Sequence, residues 1–504
     1  MWFIIIFLTM TIFTIKILHG WQRPSMFPPG PRGLPIVGNI LDVKRLVDET
    51  KFYSHAWCRL ADIYGPIVGL KLGISEPLII VSGKDAVVEM MGRPEFDGRP
   101  DGFIHRFRTG GERRGVLFTD GDIWRDQRRF ALRTLKEFGF GKVTMEDIIL
   151  NDAISLTSTI ESLAKLGPIT NLYNITSIAV LNSLWTLIAG SRYDLQNPKL
   201  TEILSVVNDL TRNSNATGGI LTHLPFLRYI IPGLTGFTVL DQRLARMWQF
   251  FGSEITRHKQ TRTHGEIRDF IDVYLAEMDS KQSNPTVSSF NEEQLIGVVK
   301  DLFTAGVETT NNTIGFIITY LVAKQDVQRK VYEEIERVLG KEVLPRTEYK
   351  NRLPYLNATI AEVSRLANVG PTSIPHRAMT DSTLLGYKIK KNYTLLANLR
   401  SVHMDEQHWG DPKEFRPERF INDKGEYIED PWLIPFGLGR RKCLGEILAR
   451  NSVFLFTACL LQKFQFVLSP EHPDPILDGL DGFTIAPPNL SVIAIKRNDC
   501  LIFH

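Results

Sequence analysis

Pro435-Phe436-Gly437-Leu438-Gly439-Arg440-Arg441-Lys442-Cys443-Leu444-Gly445-Glu446 is the stretch on which the fold turns. Two glycines and three consecutive basic residues precede Cys443. A strongly apolar helical pattern follows: Ile447, Leu448, Val453, Phe454, Leu455, Phe456 and Leu460. Cys443 therefore belongs to a glycine-shaped loop that opens into a helix N-terminus. Free N–H groups and the positive end of the helix dipole stabilise a thiolate there, and neighbouring Arg and Lys add to this. Loop and charge alone point to a reactive or metal-ligating thiolate. A lone cysteine is ordinarily a small buried hydrophobe, which is the reading for Cys58, Cys459 and Cys500. Four cysteines with no Cys-x-x-Cys spacing make neither a disulfide scaffold nor a zinc site.

Upstream, one helix stands out. Ser289 to Glu292 fits a capping box, and the apolar periodicity then runs to about Lys324. That length predicts roughly 50 Å of helix, enough to cross a whole domain. Its middle reads Ala305-Gly306-Val307-Glu308-Thr309-Thr310-Asn311-Asn312-Thr313, with apolar residues on both sides. Glycine and β-branched threonine weaken a helix, and a buried carboxylate is costly. The patch reads as a functional interruption. From periodicity alone it fits equally well a solvated turn or a cap between two shorter helices.

Around these segments the chain has ordinary globular proportions. Of its 504 residues 43% are hydrophobic, 10% aromatic and 23% charged, which excludes disorder, collagen-like fibre and simple coiled coil. Lys+Arg number 59 against 56 Asp+Glu, a formal charge of +3 that gives no reason to expect nucleic acid as a partner. Helical periodicity dominates from Trp124 to Leu366. Short strand-like runs occur at residues 67–72, 78–81 and 491–496, and residues 279–289 read as a surface loop. The fold class is mainly α with a small β region.

The amino terminus is different. Trp2 to Ile15 are almost wholly apolar, and counting to Leu18 brings the segment to the short end of what spans a bilayer. Lys16 can snorkel and Trp21 suits an interface. No basic residue precedes the run and Leu18-His19-Gly20 is a poor cleavage site, which favours a retained signal anchor over a signal peptide. The flanking basic residues (Lys16, Arg23, Arg32, Lys44, Arg45) all follow the span, so the body is expected in the cytosol. Phe27-Pro28-Pro29-Gly30-Pro31-Arg32-Gly33-Leu34-Pro35 reads as a stiff, extended spacer, or as an ordinary Pro-rich linker.

With these residues in place, Phe436-x-x-Gly439-x-Arg441-x-Cys443-x-Gly445 resembles the haem-binding loop of cytochromes P450. Further matches fall in that family's order. Ala305-Gly306-x-Glu308-Thr309 resembles its oxygen-activating groove, and Glu362-x-x-Arg365 its K-helix pair. Pro417-Glu418-Arg419-Phe420 resembles the segment whose arginine joins that pair. Trp124-x-x-x-Arg128 resembles its haem-propionate motif, and Pro28-Pro29-Gly30-Pro31 the hinge of microsomal members. Phe96-Asp97-Gly98-Arg99-Pro100 and Pro375-His376-Arg377 look like the clan of vertebrate drug- and steroid-metabolising P450s. Within it the chain looks most like the insect members.

The resemblance implies a cytochrome P450 fold. A single large haem domain (residues 39–504) follows a transmembrane signal anchor (1–20) and a Pro-rich hinge (21–38). It implies haem b, iron protoporphyrin IX, with Cys443 as metal ligand, Phe436 packing beside it and Gly445 admitting the macrocycle. A thiolate on haem iron favours O–O cleavage. Arg99, Trp124, Arg128, His376 and Arg441 are then the propionate donors, and Thr309 and Glu308 the proton-delivering pair. Glu362, Arg365 and Arg419 would form a buried structural network. Taken alone, the Glu362–Arg365 pair is an ordinary surface salt bridge. The implied activity is insertion of one atom of O2 into a lipophilic small molecule, an insect hormone or sterol or a xenobiotic. Electrons would come from NADPH–cytochrome P450 reductase, with cytochrome b5 as a second donor, at the endoplasmic reticulum membrane. Arg125, Arg129, Arg133, Lys136, Arg440 and Lys442 would offer an acidic partner a docking face. Substrate contacts are implied at Phe103, Phe107, Leu117, Phe303, Ile374 and Phe483. The alternatives are a haem-thiolate isomerase or dehydratase acting on peroxides without a reductase, and a non-catalytic haem-binding protein. The Glu308-Thr309 pair argues against the first.

Overall fold

The longest helix, Glu292–Ala323, is unbroken over 32 residues, about 48 Å. It starts two residues later in its capping than the Ser289 box predicts. Asn291 is the cap, and its side chain accepts the Gln294 N–H at 2.8 Å. The polar patch stays helical. Gly306 has a packing reason as well as a propensity cost, because a Cβ there would meet Leu184 Cδ2 at 2.6 Å. Residues 2–19, 23–139, 143–263, 266–281, 289–471 and 477–497 are described in this computed structural model. Trp21, Cys500 and most of the 279–289 loop lie outside them, as does the side chain of Lys16.

Leu172–Ala189 packs along the long helix and is buried on nearly every side. It is long and apolar enough to cross a membrane, yet 83% of it lies inside the protein, so it is a core helix. Val143–Ala164 and Glu446–Lys463 complete this layer. Phe303 is fully buried there, edge-on to Trp185 and Phe251 at centroid distances of 5.5 and 5.2 Å. It fills the core instead of lining a substrate space, because its face of the helix meets other helices.

Three small sheets form the β region. Strands β1 (Ile67–Leu70), β2 (Leu78–Ser82), β3 (His376–Arg377) and β6 (Thr394–Asn398) pair in the order β1-β2-β6-β3. Only β2 and β6 run parallel, with Leu78 opposite Thr394, and β2 is buried throughout. Strands β4 (Ser382–Leu384) and β5 (Tyr387–Ile389) form one hairpin, and β7 (Phe464–Leu468) and β8 (Val492–Lys496) another pair. The three runs expected from sequence are β1, β2 and β8. Strands β3, β4 and β5, of two or three residues, are too short to show an alternating pattern, and the five-residue β6 and β7 were not expected from sequence.

At the amino end, Trp2–His19 is a helix whose apolar side chains from Trp2 to Met10 are exposed. The Pro-rich stretch is not a free spacer. Gly69 N–H donates to Pro29 O at 2.8 Å, Arg23 donates to Pro28 O and Pro31 O at 3.1 and 2.7 Å, and Phe27 packs edge-on to Tyr393. Chain without internal hydrogen bonds leaves its carbonyls open, and β1 and Arg23 take them.

Candidate active site

The Cys443 loop is shaped by its glycines. Gly437 and Gly439 have φ of +70° and +68°. A Cβ at Gly439 would lie 2.0 Å from the Met91 carbonyl oxygen, so only glycine fits. The loop closes by Cys443 N–H donating to Phe436 O at 2.9 Å, and Arg128 Nη2 donates to Lys442 O at 2.6 Å. That bond ties the helix Gly121–Glu137 to the loop. Gly445 caps the helix that starts at Glu446, and its N–H donates to the Cys443 sulfur. The helix start is therefore where the sequence reading put it. The expected lowering of the thiol pKa is not met: burial pushes it up, Glu446 adds to this, and the Gly445 N–H, Arg128 and Lys442 only partly offset the rise. Protein surrounds the sulfur closely, yet Cys443 is exposed to solvent, so open space adjoins it. Gly445 has an ordinary φ of −90°, and no atom lies within 4 Å of where its Cβ would point. Its missing side chain keeps the space beside the sulfur open.

Beside the loop lies a cationic cluster. Arg99 Nε donates to Leu117 O and Nη1 to Pro375 O, both at 2.9 Å. Arg441 donates to Asp97 O at 2.8 Å and Thr119 O at 3.0 Å, and stacks on the Trp124 ring 3.8 Å from its centroid. Its remaining Nη1 is enclosed without a partner among the described residues. Burial and then the charge of Arg441 lower the Arg99 pKa. Arg441 itself is pushed down to about 10, chiefly by burial. Asp97 and Asp120 oppose these shifts, but Asp120 already accepts from the Arg99 backbone, Arg113 and Arg377. Mutually repelling arginines with an unpartnered donor fit a ligand that brings carboxylates. His376 differs from expectation in detail. Its Nδ1–H donates to Phe96 O at 2.8 Å, and burial holds the ring neutral. Nε2 is then a lone pair, so His376 donates to an anion only once that anion has raised its pKa enough to charge the ring.

On the long helix, Glu308 and Thr309 leave the axis about 100° apart and do not bond each other. Glu308 is nearly fully buried and accepts from Arg212 Nη2 at 2.8 Å and from the Thr484 hydroxyl at 2.7 Å. Arg212, the last residue of the helix Pro198–Arg212, also donates to Thr484 Oγ1 and Leu480 O at 2.6 and 2.8 Å. The Thr309 hydroxyl donates to Ala305 O at 2.8 Å and is half-buried. Arg212 and Thr484 were not legible as site residues, being far away in sequence and in no motif.

The cytochrome P450 family model matches residues 28–494. The chain is a cytochrome P450. It is 37% identical to farnesoate epoxidase of Bombyx mori over 484 residues, 95% of this chain and 96% of that one. It is 36% identical to probable cytochrome P450 305a1 of Drosophila melanogaster, covering 96% of each, and 32% identical to cytochrome P450 2D3 of Rattus norvegicus, covering 99% and 98%. As a P450 it is a monooxygenase that binds haem b through a cysteine thiolate, and both the open space at Cys443 and the arginine cluster fit that group.

In this P450, Glu362 and Arg365 form a fully buried bidentate pair, with both Nε and Nη2 contacts at 2.8 Å. Arg419 Nε joins Glu362 at 3.1 Å. The network reaches the cysteine loop through a residue the motifs do not contain. Arg365 Nη1 donates to His403 O at 2.9 Å, and His403 Nε2 accepts the Ile434 N–H at 3.0 Å. Arg125, Arg129, Arg133, Lys136, Arg440 and Lys442 are all exposed. Arg125, Arg440 and Lys442 pair with Asp122, Asp97 and Glu446.

Proposed function

We propose that this P450 inserts one atom of O2 into a lipophilic small molecule, with Cys443 as the iron ligand. The observation that carries the assignment is the solvent-reached sulfur next to Gly445, on a loop whose Arg441 keeps an enclosed Nη1 with no partner among the described residues. When bound, the haem supplies the oxidising chemistry, which its thiolate ligand favours. The protein supplies the rest. Arg99, Trp124, Arg128, His376 and Arg441 orient the cofactor by its carboxylates, and Phe436 shields the sulfur. Reducing O2 by two electrons and two protons leaves one oxygen for the substrate and one for water. Thr309 and Glu308 deliver those protons. Thr309 must turn its hydroxyl from Ala305 O, and Glu308 must loosen from Arg212, before the two connect through water. Both are held by hydrogen bonds that side-chain rotation can exchange.

Electrons come from NADPH through cytochrome P450 reductase docked on the face of Arg129, Arg133 and Lys136, with cytochrome b5 as a second donor. Residues 1–20 anchor the enzyme in the endoplasmic reticulum membrane, residues 21–38 form the hinge, and residues 39–504 form the catalytic domain in the cytosol. The helix Trp2–His19, whose side chains from Trp2 to Met10 are exposed and mostly apolar, supports the anchor. The substrate is either an endogenous hormone or sterol or a foreign compound. The name of the Bombyx mori relative supports testing farnesoate first. The decisive experiment is the reduced carbon monoxide spectrum. Wild type should show the red-shifted Soret band of a thiolate-ligated haem, and Cys443→Ser should lose it together with NADPH-dependent oxidation by the reconstituted reductase. A band that survives the substitution overturns the ligand assignment.

A further inference from the structure

Glu308 is held by more than its arginine. It takes both of its hydrogen bonds on one oxygen, Oε1, from Arg212 Nη2 at 2.8 Å and from the Thr484 hydroxyl at 2.7 Å. Oε2 accepts none from the described residues, so it is the oxygen free to take up and pass a proton. Thr484 is in turn held by a further pair of side chains.

Asn312 follows Glu308 by one helical turn, on the same face of the long helix. Its side chain is fully buried. Nδ2 approaches Ile485 O at 3.2 Å and Thr484 Oγ1 at 3.4 Å, and Oδ1 lies 2.6 Å from the Tyr173 hydroxyl. A carbonyl oxygen only accepts, so the bond to Ile485 O fixes which end of the amide carries the protons. Oδ1 is then the acceptor and the Tyr173 phenol its donor. Burial, and then the charge of Glu308, push the Tyr173 pKa up to about 12, so the phenol keeps its proton. Tyr173 is fixed at its other end too, where its carbonyl accepts Asn311 Nδ2 at 3.2 Å.

Orientation passes down this line. The Thr484 oxygen receives a proton from Arg212 Nη2 at 2.6 Å and another from Asn312 Nδ2, which fills both lone pairs. Its own single proton has Glu308 Oε1 left to go to. The turn that carries Thr484 is pinned on both sides, by Phe483 N–H donating to Thr211 O at 2.8 Å and Ile485 N–H to Val369 O at 2.9 Å. When Glu308 loosens from Arg212, Asn312 still supplies Thr484 with a donor, and the threonine's proton stays on Oε1. With Glu308 and Thr309 read as the proton-delivering pair, we propose that Tyr173, Asn312 and Thr484 are positioning residues for oxygen activation: they hold the Glu308 carboxylate by Oε1 and leave Oε2 to carry the proton.

The test uses the full-length, haem-loaded enzyme with reductase and NADPH and no added substrate. Each dioxygen consumed then leaves as one hydrogen peroxide, for two electrons and two protons, or as two waters, for four of each. Thr484→Val keeps the shape and removes the hydroxyl, and it should raise the ratio of peroxide to water roughly two- to tenfold, the range that one lost hydrogen bond gives. Thr484→Ser returns the hydroxyl without the methyl group and should restore the wild-type ratio, which a packing role would not do. A cavity of about 30 Å³ beside Tyr173 has room for a water to replace part of the phenol, so Tyr173→Phe should give a smaller rise in the same sense. Where Thr484→Val fails to hold haem, Tyr173→Phe decides, and an unchanged ratio there overturns the proposal. 3-Fluorotyrosine at position 173 adds a readout that involves no turnover: its fluorine resonance should move in Thr484→Val and hold in Thr484→Ser. A resonance indifferent to Thr484→Val, or equal ratios in the valine and serine variants, overturns the proposal. Glu308→Gln separates the two levels. If it raises the ratio while Thr484→Val does not, the positioning line alone is wrong; if Glu308→Gln also leaves the ratio unchanged, the proton-delivery reading goes with it.

Discussion

Thr309 and Glu308 show what a single side chain's surroundings add to its identity. As residue types they are an alcohol and an acid next to each other. In the fold they point apart, one onto its own helix at Ala305 and the other onto Arg212 and Thr484. Delivery of protons then depends on their release, and loss of the alcohol should be felt in coupling before binding. Thr309→Ala is expected to raise hydrogen peroxide released per NADPH consumed several-fold, with substrate affinity little changed. An unchanged ratio of peroxide to product would remove Thr309 from the relay. Gly439 is a second case. Its φ of +68° and the Met91 carbonyl 2.0 Å from a Cβ position mean that Gly439→Ala must displace the loop. The haem-loaded fraction should fall even though no ligand atom is touched. The glycines were legible as loop formers, but their contact with Met91 was not, because it joins residues far apart in sequence.

At the scale of elements, two buried ionic clusters fasten helices together. Arg365 lies in Pro354–Ala367 and holds Glu362 while satisfying the carbonyls of His403 and Pro412. Arg365→Ala leaves a buried carboxylate with the Arg419 charge and the Arg416 N–H, and with half of its hydrogen bonds lost. It should cost about 3–5 kcal/mol in urea denaturation, and it should loosen the cysteine loop through His403 and Ile434. The second cluster joins Phe237–Thr261 to Phe270–Lys281. His258 donates to Asp269 at 2.9 Å and to Glu254 O at 2.8 Å, and Arg268 holds Asp272 at 2.6 Å. These three groups come close enough to suggest a metal site, but both ring nitrogens are engaged and Arg268 occupies Asp272. The cluster acts as a staple. Burial alone would lower the His258 pKa, but the Asp269 hydrogen bond, the Glu254 carbonyl and both carboxylate charges raise it overall. A histidine whose folded pKa exceeds its unfolded value stabilises fully below about pH 6.5 and loses that contribution as pH rises through the folded pKa. The melting temperature of wild type minus that of His258→Gln should therefore shrink between about pH 6 and pH 8.5. A difference that stays constant over that range would contradict the charged staple. The helices were legible from their apolar period. The staple was not, since its acids and histidine look like any others on a helical face.

At the scale of the molecule, the apolar helix Trp2–His19 and the helical body can be tested separately. Deleting residues 1–20 should move the enzyme from the membrane pellet toward the soluble fraction while leaving the carbon monoxide spectrum intact. A truncated protein still wholly in the pellet would show that other surfaces bind the membrane on their own. The mainly helical class, the cysteine at a helix start, the long helix and the order of the motifs are already written along the chain. These are local properties, written in apolar periodicity, glycine placement and spacing. Only packing in three dimensions makes Phe303 core, brings Arg212 and Thr484 to Glu308, seats the Pro-rich stretch on β1, and lets burial outweigh local charge at the Cys443 thiol. Each of those depends on which distant residue packs within a few ångströms and how much water is shut out, and neither quantity is carried by neighbours along the chain.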